Sequence, residues 1–228
     1  MAGASFVVWE VTSKFPFCIL AFRFLLYPVT PERKNKITAV LNKRQPDITL
    51  VFENVHDPHN IAAVMRTCDA GGVQDTYILN TKTRQAKRFG KKSSASAAGW
   101  LTIHHFESVE ECFKTVKSRY EKIFATHLGE QAYSLYELDL TTSIALVFGN
   151  EHSGVSEEAL QYCDGNFIIP QVGMVQSLNI SVACAVTLYE AFRQRSRNGF
   201  YERPRLPEEQ YRELADQWGM QNETLSED

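Results

Sequence analysis

The chain has 228 residues, 44% of them hydrophobic and 22% charged, with a formal net charge of −3. This is ample for a sizeable globular core and excludes a protein that announces a nucleic-acid partner by overall charge, so such a partner must be read from local clusters. The five cysteines, at 18, 68, 112, 163 and 184, contain no Cys-x-x-Cys pair and are odd in number, which argues against a disulfide framework or zinc ribbon and for a reducing, cytoplasmic setting.

Phe15 to Val29 is apolar, but Arg23 interrupts it and Pro16 and Pro28 bracket it. It falls short of the roughly 20 residues of a membrane helix. Leu26-Tyr27-Pro28 makes a poor signal-peptide cleavage site. Residues 1–30 therefore read as an extension ahead of the domain. Thr30-Pro31-Glu32 has the form of a helix start, with a capping Thr, a Pro and an acid; the helix carries Arg33, Lys34 and Lys36 and is expected to reach about Arg44, before Pro46-Asp47. A strand is expected over Ile48–Val55, then a helix from an Asn60 cap to Ala70, stopped by Gly71-Gly72, then a strand over Thr76–Leu79.

Residues 80–100 are basic and weakly periodic. Beyond them the pattern predicts a strand at Leu101–Phe106, and a helix opened by a Ser108–Glu111 capping box and running to about Tyr120. Further strands follow at Lys122–His127, Ile144–Phe148 and Phe167–Ile169, with a helix over about Ser156–Cys163 between the last two. A long helix from about Leu178 to Arg197 ends at Asn198-Gly199, Pro207 opens a last short helix, and Asn222 to Asp228 reads as an acidic, disordered tail. Strands alternating with helices imply an α/β fold with a mostly parallel sheet covered on both faces.

Several common chemistries have no motif here. There is no G-x-G-x-x-G after a strand, no G-x-x-x-x-G-K-[ST] and no G-x-S-x-G. His56 and His59 lack a suitably spaced cysteine or acid, so no metal is expected. Three segments stand out instead. Glu53 to Arg66 is a strand, a polar turn and a helix whose other residues are mainly small or apolar; alone, Arg66 also reads as an ordinary exposed helix arginine. Ala145 to Val155 is a buried strand running into a Gly-bounded polar loop, the usual place for a ligand at the end of a parallel sheet, or a plain turn. Ile168 to Ala185 carries Ser177 and Asn179 into a helix start rich in small residues, which lets backbone approach a ligand closely.

Together these segments resemble the three motifs of the SPOUT class of RNA methyltransferases, most closely the tRNA (guanosine-2′-O)-methyltransferases of the TrmH type. The likeness spans about residues 31–205 and includes Arg-Gln-Pro-Asp at 44–47, Val-His-x-Pro-His-Asn at 55–60, Ala-Thr-His-Leu at 125–128 and Gly-Met-Val-Gln-Ser-Leu-Asn at 173–179. The resemblance implies a methyltransferase domain over 31–205, with 206–228 as a C-terminal helix and tail. It implies a deep C-terminal trefoil knot, a topology that general fold rules alone would reject, and a homodimer. It implies bent S-adenosylmethionine within the knot, near Thr126, Leu128, Gly149, Ile169 and Leu178. Arg66 maps onto the family's catalytic arginine, with Asn60, Glu151, Ser177 and Asn179 at the other motif positions. The resemblance implies that this arginine acts as the base for the 2′-hydroxyl; because a guanidinium stays protonated, lowering the hydroxyl's pKa and stabilising an alkoxide is the chemically easier alternative. The small-residue face of Leu178–Thr187 is expected at the dimer contact.

Charge clusters support an RNA partner independently. Lys82, Arg84, Lys87, Arg88, Lys91 and Lys92 fall in one acid-free stretch, and Arg193, Arg195 and Arg197 end the long helix. The expected reaction is S-adenosylmethionine-dependent 2′-O-methylation of the D-loop guanosine at tRNA position 18. The alternatives are another tRNA or rRNA nucleotide, or a catalytically silent RNA-binding dimer, against which the retained Arg66, Glu151, Ser177 and Asn179 argue.

Overall fold

The computed structural model describes residues 29–82, 97–129, 131–175 and 177–220. Helix α1 (Pro31–Leu41) starts as the sequence indicates, the Thr30 hydroxyl accepting from the Arg33 N–H. It stops short of Arg44, because Arg44 turns inward. Its buried guanidinium donates to Asp69 Oδ1 at 2.7 Å and to the carbonyls of Val73 and Trp100, and lies over the Trp218 ring.

Strand β1 (Ile48–Glu53) is buried throughout. It ends before the expected Val55 because Asn54 has φ 53°, which takes the chain out of the ladder. Helix α2 (Pro58–Gly71) is capped by Asp57, not Asn60. The Asp57 carboxylate accepts from the His59 N–H at 2.8 Å, and Pro58 fills the first helical position. Both residues are good caps; Pro58 decides between them, since its fixed φ suits the first helical residue. Asn60 is thereby placed in the first turn with its amide turned to other work. Gly72, left-handed at φ 82°, closes α2, and a Cβ there would lie 2.7 Å from the Lys43 carbonyl oxygen.

Strands β2 (Asp75–Leu79) and β3 (Thr102–Phe106) follow, then α3 (Val109–Arg119), where the Ser108 hydroxyl accepts from the Glu111 N–H. Strand β4 (Lys122–Thr126) leads to β5 (Tyr133–Ser134), a two-residue strand that no apolar run announces. Strand β6 (Ile144–Phe148), α4 (Glu157–Leu160, capped by Ser156), β7 (Gly165–Ile168), α5 (Ile180–Arg197, capped by Asn179) and α6 (Glu208–Gln217) complete the described elements. The α4 boundaries are one and three residues tighter than the sequence pattern gives, and α5 starts two residues later while ending at Arg197 as expected. The long helix begins at Ile180 because Asn179 serves as its cap.

The seven strands form one sheet in the order β3-β2-β1-β6-β4-β7-β5, and every neighbouring pair is parallel. Successive side chains of a strand face opposite ways, so each central strand feeds two cores. Leu50, Phe52, Leu146 and Phe148 pack with Ile61 and Met65 of α2 and Cys184 and Leu188 of α5. Val51, Ala145 and Val147 pack with Phe113 and Val116 of α3 and Ala159 of α4. A third cluster joins α1 to α6 through Ile37, Leu41, Leu214 and Trp218. The doubly covered parallel sheet expected from the sequence is present.

Arg195 corrects the sequence reading. It was expected to meet RNA phosphates but is fully buried, on the α5 face that also buries Cys184, Leu188 and Ala191. Its guanidinium donates to Asp47 Oδ1 at 2.6 Å, Gln45 Oε1 at 3.1 Å and the carbonyls of Leu140 and Thr142 at 2.8 and 2.9 Å. Arg205 joins it on Asp47 and stacks over Phe200. Thus the Arg-Gln-Pro-Asp string is a bolt: Arg44 holds the 69–73 and 100 segments, and Asp47 holds the C-terminal end of α5. The described cysteines are free thiols, and burial pushes Cys112 up to about 12.

Candidate active site

The sheet order reverses beside β1. The chain runs outward through β2 and β3, then returns to the other side, where β6 pairs with β1. Ligands of parallel α/β sheets bind at such a switch point, outside the carboxyl ends of the strands. Here a cleft of about 390 Å³ opens outside the carboxyl ends of the strands next to that point, walled by the loops leaving β4, β6 and β7 and by the start of α5. The five residues expected at the cofactor, Thr126, Leu128, Gly149, Ile169 and Leu178, all line it, and so do Glu151 and Ser177.

The loop after β6 is a tight turn. Asn150 and Gly154 exchange backbone hydrogen bonds of 3.1 and 2.8 Å. A Cβ on Gly149 would lie 2.1 Å from the Gly154 carbonyl carbon, so only glycine closes this turn. Inside it the Asn150 Oδ1 accepts from the N–H groups of His152 and Ser153 at 2.9 and 3.2 Å. The Asn150 amide donates outward to the Asn54 carbonyl at 2.9 Å. Glu53, buried at the end of β1, accepts from the Ser156 N–H at 2.8 Å and fixes the turn's far side.

This turn presents Glu151 to α2. The Asn60 amide donates to Glu151 Oε1 at 2.9 Å, and the Asn179 amide donates to Asn60 Oδ1 at 3.1 Å. Asn179 in turn accepts from the Ser181 N–H and hydroxyl at 2.8 and 2.6 Å, capping α5. One residue from each of the three sequence segments therefore meets in a single hydrogen-bonded row. The row also brings together the N-termini of α2 and α5, whose partial positive charges favour negative charge nearby.

Other expected residues stand apart. Arg66 lies on the exposed side of α2 and is absent from the cleft walls. Six residues beyond Asn60, it is about 9 Å further along the helix and roughly 120° around it. His56 and His59 are exposed on either side of the Asp57 cap. Lys82 is exposed, whereas Arg84, Lys87, Arg88, Lys91 and Lys92 lie outside the described residues. Arg193 is about half exposed but paired with Glu190 at 2.6 Å. The sequence reading missed Asn54, Asn150 and Asp57. Asn54 carries a signal in hindsight, since asparagine next to a strand end tolerates the left-handed region.

Residues 47–189 match the model of the SpoU rRNA Methylase family. The chain belongs to that family. Among curated relatives, this SpoU-family chain is similar to the tRNA (guanosine(18)-2′-O)-methyltransferase of Thermus thermophilus, 45% identical over 83% of this chain and 96% of the relative. Among solved structures it is similar to the A. aeolicus TrmH/SpoU tRNA modifying enzyme, with a TM-score of 0.76 at 36% identity over 83% of this chain and 95% of that one. It also resembles the SpoU methyltransferase AviRb from Streptomyces viridochromogenes in complex with the cofactor AdoMet, with a TM-score of 0.57 at 27% identity over 68% of this chain and 62% of that one.

Proposed function

We propose that this chain methylates the ribose 2′-hydroxyl of guanosine 18 in tRNA, with S-adenosylmethionine as methyl donor. The observation that carries the reading is the Glu151–Asn60–Asn179 row, which ties together all three motif segments beside the cleft. The relatives' names and the AdoMet-bound neighbour support the substrate and the donor.

The cleft suits that donor on its own terms. Its volume falls at the low end of the ordinary small-ligand range. Leu128, Phe148, Ile169 and Leu178 supply apolar surface, while the strand-end backbone at 126–128 and 149–154 supplies polar groups. When bound, the sulfonium supplies an electrophilic methyl group. The protein's own part is to fix the ribose and favour the oxyanion. Asn60 and Asn179 hold the two helix N-termini together, Glu151 pins the turn against them, and Ser177 stands at the same wall. Arg66 brings the positive charge that stabilises the hydroxyl oxygen as its proton leaves.

Its absence from the cleft walls supports a homodimer in which Arg66 serves the partner's cleft. The exposed side of α5 supports the same assembly: Val182, Tyr189 and Phe192 form one apolar stripe. Ile180, Cys184 and Thr187 face the protomer's own core, while Ser181 and Ala185 of the expected small-residue face stay partly exposed and available to the same contact. The reading also includes a methyltransferase domain over 31–205 and a deep trefoil knot. Insertion of β7 between β4 and β5, both earlier in the chain, favours the knot. A cytoplasmic location follows from a tRNA substrate. Among the described residues no helix is long and apolar enough to cross a membrane.

Labelled S-adenosylmethionine with unmodified tRNA and rRNA, followed by nucleoside mapping, tests the assignment. Label at guanosine 18 is expected; label elsewhere or in rRNA would move the substrate, and none at all would leave a silent RNA binder. S-adenosylhomocysteine at a hundred times its Kd should stabilise the fold by about 2.7 kcal/mol, seen as a rise in Tm. Absence of any shift and of calorimetric binding would remove the enzyme reading.

Gly149→Ala should weaken that binding roughly 10- to 100-fold, the equivalent of about 1–3 kcal/mol of forced overpacking. Gly173→Ala, whose added Cβ meets nothing within 4 Å, should leave it unchanged. Equal affinities in the two variants would show that the turn does not form the cofactor wall.

A further inference from the structure

Asn54 is the one non-glycine residue with positive φ among the described residues, and it stands where three segments meet. Its backbone carbonyl accepts the Asn150 amide at 2.9 Å. Its own N–H donates to the Leu79 carbonyl at 2.8 Å. Its side-chain Oδ1 accepts from the N–H groups of Thr81 and Lys82 at 2.9 and 3.3 Å, and its Nδ2 donates to the Thr81 hydroxyl at 3.0 Å.

These bonds lie on one line. Lys82 opens the basic stretch. Asn54 grips the backbone of Thr81 and Lys82 on one side and Asn150 on the other. Asn150 organises the turn that carries Glu151, and Glu151 holds Asn60, which holds Asn179. A left-handed conformation is uncommon in a non-glycine residue, even in asparagine, which tolerates it best, and it persists where its surroundings over-determine it. Here what over-determines it is this set of bonds, made simultaneously toward the cationic segment and toward the cofactor turn.

We propose that Asn54 is a positioning residue that couples RNA contact at Lys82 to the cofactor turn at 149–154, so that tRNA and S-adenosylmethionine bind cooperatively. The proposal rests on the reading of the cleft and of the tRNA substrate given above. An RNA phosphate engaging Lys82 favours the state in which Asn54 holds the 81–82 backbone. That backbone fixes the Asn54 side chain, and its carbonyl then presents a fixed acceptor to Asn150. A turn already ordered in this way binds cofactor without having to order itself, which is how one ligand raises the affinity of another. Reciprocity follows: the cofactor raises tRNA affinity by the same factor.

Calorimetric titration of S-adenosylhomocysteine, with and without saturating unmodified tRNA, measures the coupling without turnover. In the native protein tRNA should tighten the binding ~5- to 10-fold, at the low end of known couplings. Asn54→Gly keeps the left-handed backbone and the carbonyl acceptor but removes the side-chain grip on 81–82. It should bind S-adenosylhomocysteine alone within about twofold of the native protein while the coupling factor falls to roughly one. Asn54→Asp keeps the Oδ1 acceptor for both N–H groups and should retain most of the coupling. Lys82→Ala should remove coupling without a further loss when combined with Asn54→Gly. Native protein that binds and methylates but shows no coupling overturns the proposal and leaves the functional reading intact. Coupling preserved in Asn54→Gly overturns it equally. No binding of S-adenosylhomocysteine under either condition is a failure of the functional reading, and the proposal falls with it.

Discussion

Arg66→Ala is expected to fold and to bind S-adenosylhomocysteine like the native protein, yet to lose at least about 100-fold in the single-turnover rate of methyl transfer, the scale seen when an oxyanion-stabilising group is removed. Arg66 is exposed on α2 and absent from the walls of its own cleft, so its removal opens no cavity in the core. Arg66→Lys separates two uses of the charge. A bare positive charge would let lysine recover part of the rate. A planar fork gripping a phosphate and the hydroxyl together would leave lysine nearly as poor as alanine. Mixed dimers, one subunit carrying Arg66→Ala and the other Gly149→Ala, add a second test. If Arg66 serves the partner's cleft, one of the two sites lacks both groups and the other is intact, so activity remains. If Arg66 serves its own cleft, both sites are damaged. A near-native single-turnover rate in Arg66→Ala would return this residue to the role of an ordinary surface arginine.

Arg195→Ala is expected to cost about 3–5 kcal/mol of stability, the usual result of removing one member of a buried ion pair. Burial lowers the Arg195 pKa from its ordinary value, partly offset by Asp47. The pocket left behind holds the Asp47 carboxylate, the Gln45 Oε1 and the Leu140 and Thr142 carbonyls, acceptors that lose their shared donor. Arg205 continues to meet Asp47 and limits the damage. Arg195→Lys should recover less than half, because one ammonium cannot reach acceptors arranged around a planar fork. Urea unfolding measures the difference, and a loss below about 1 kcal/mol would contradict a buried, fully engaged arginine. Arg197→Ala at the exposed end of the same helix serves as the control.

Arg195 also shows where the sequence was readable and was misread. Cys184, Leu188, Ala191 and Arg195 are spaced four, three and four residues apart, the period of one helix face. That face was visible in the sequence, but the charge cluster drew the residue to the surface. Strands such as Ile48–Glu53 and Ile144–Phe148 were legible because they are apolar runs. The Tyr133–Ser134 strand was not, since two residues carry no period. Strand order was equally hidden: nothing local in Ile144–Phe148 says that it pairs with β1 rather than β2. Motif resemblance led to Asn60, Glu151 and Asn179, but their mutual hydrogen bonds join residues up to 119 positions apart. Asp57 and Asn60 are both good caps, so sequence alone points to Asn60 as readily as to Asp57, and only the geometry assigns the carboxylate to the helix and the amide to the row.

The placement of β6 between β1 and β4 has a consequence for the order in which the chain acquires its shape. Asn150 closes onto Asn54 across 96 residues, Ser156 onto Glu53 across 103, and Arg195 onto Asp47 across 148. Each such closure spends chain entropy before any contact repays it, and parallel sheets dominated by distant pairing assemble slowly. While the protein is being synthesised, β1, β2 and β3 can associate early. Their sheet still ends at an open, largely apolar β1 edge until Ile144–Phe148 has left the ribosome. For the whole of that interval the nascent chain displays an unpaired edge strand, the feature most prone to pairing with the wrong neighbour. The stretch of translation between β3 and β6 is therefore the period in which this protein depends most on protection from aggregation.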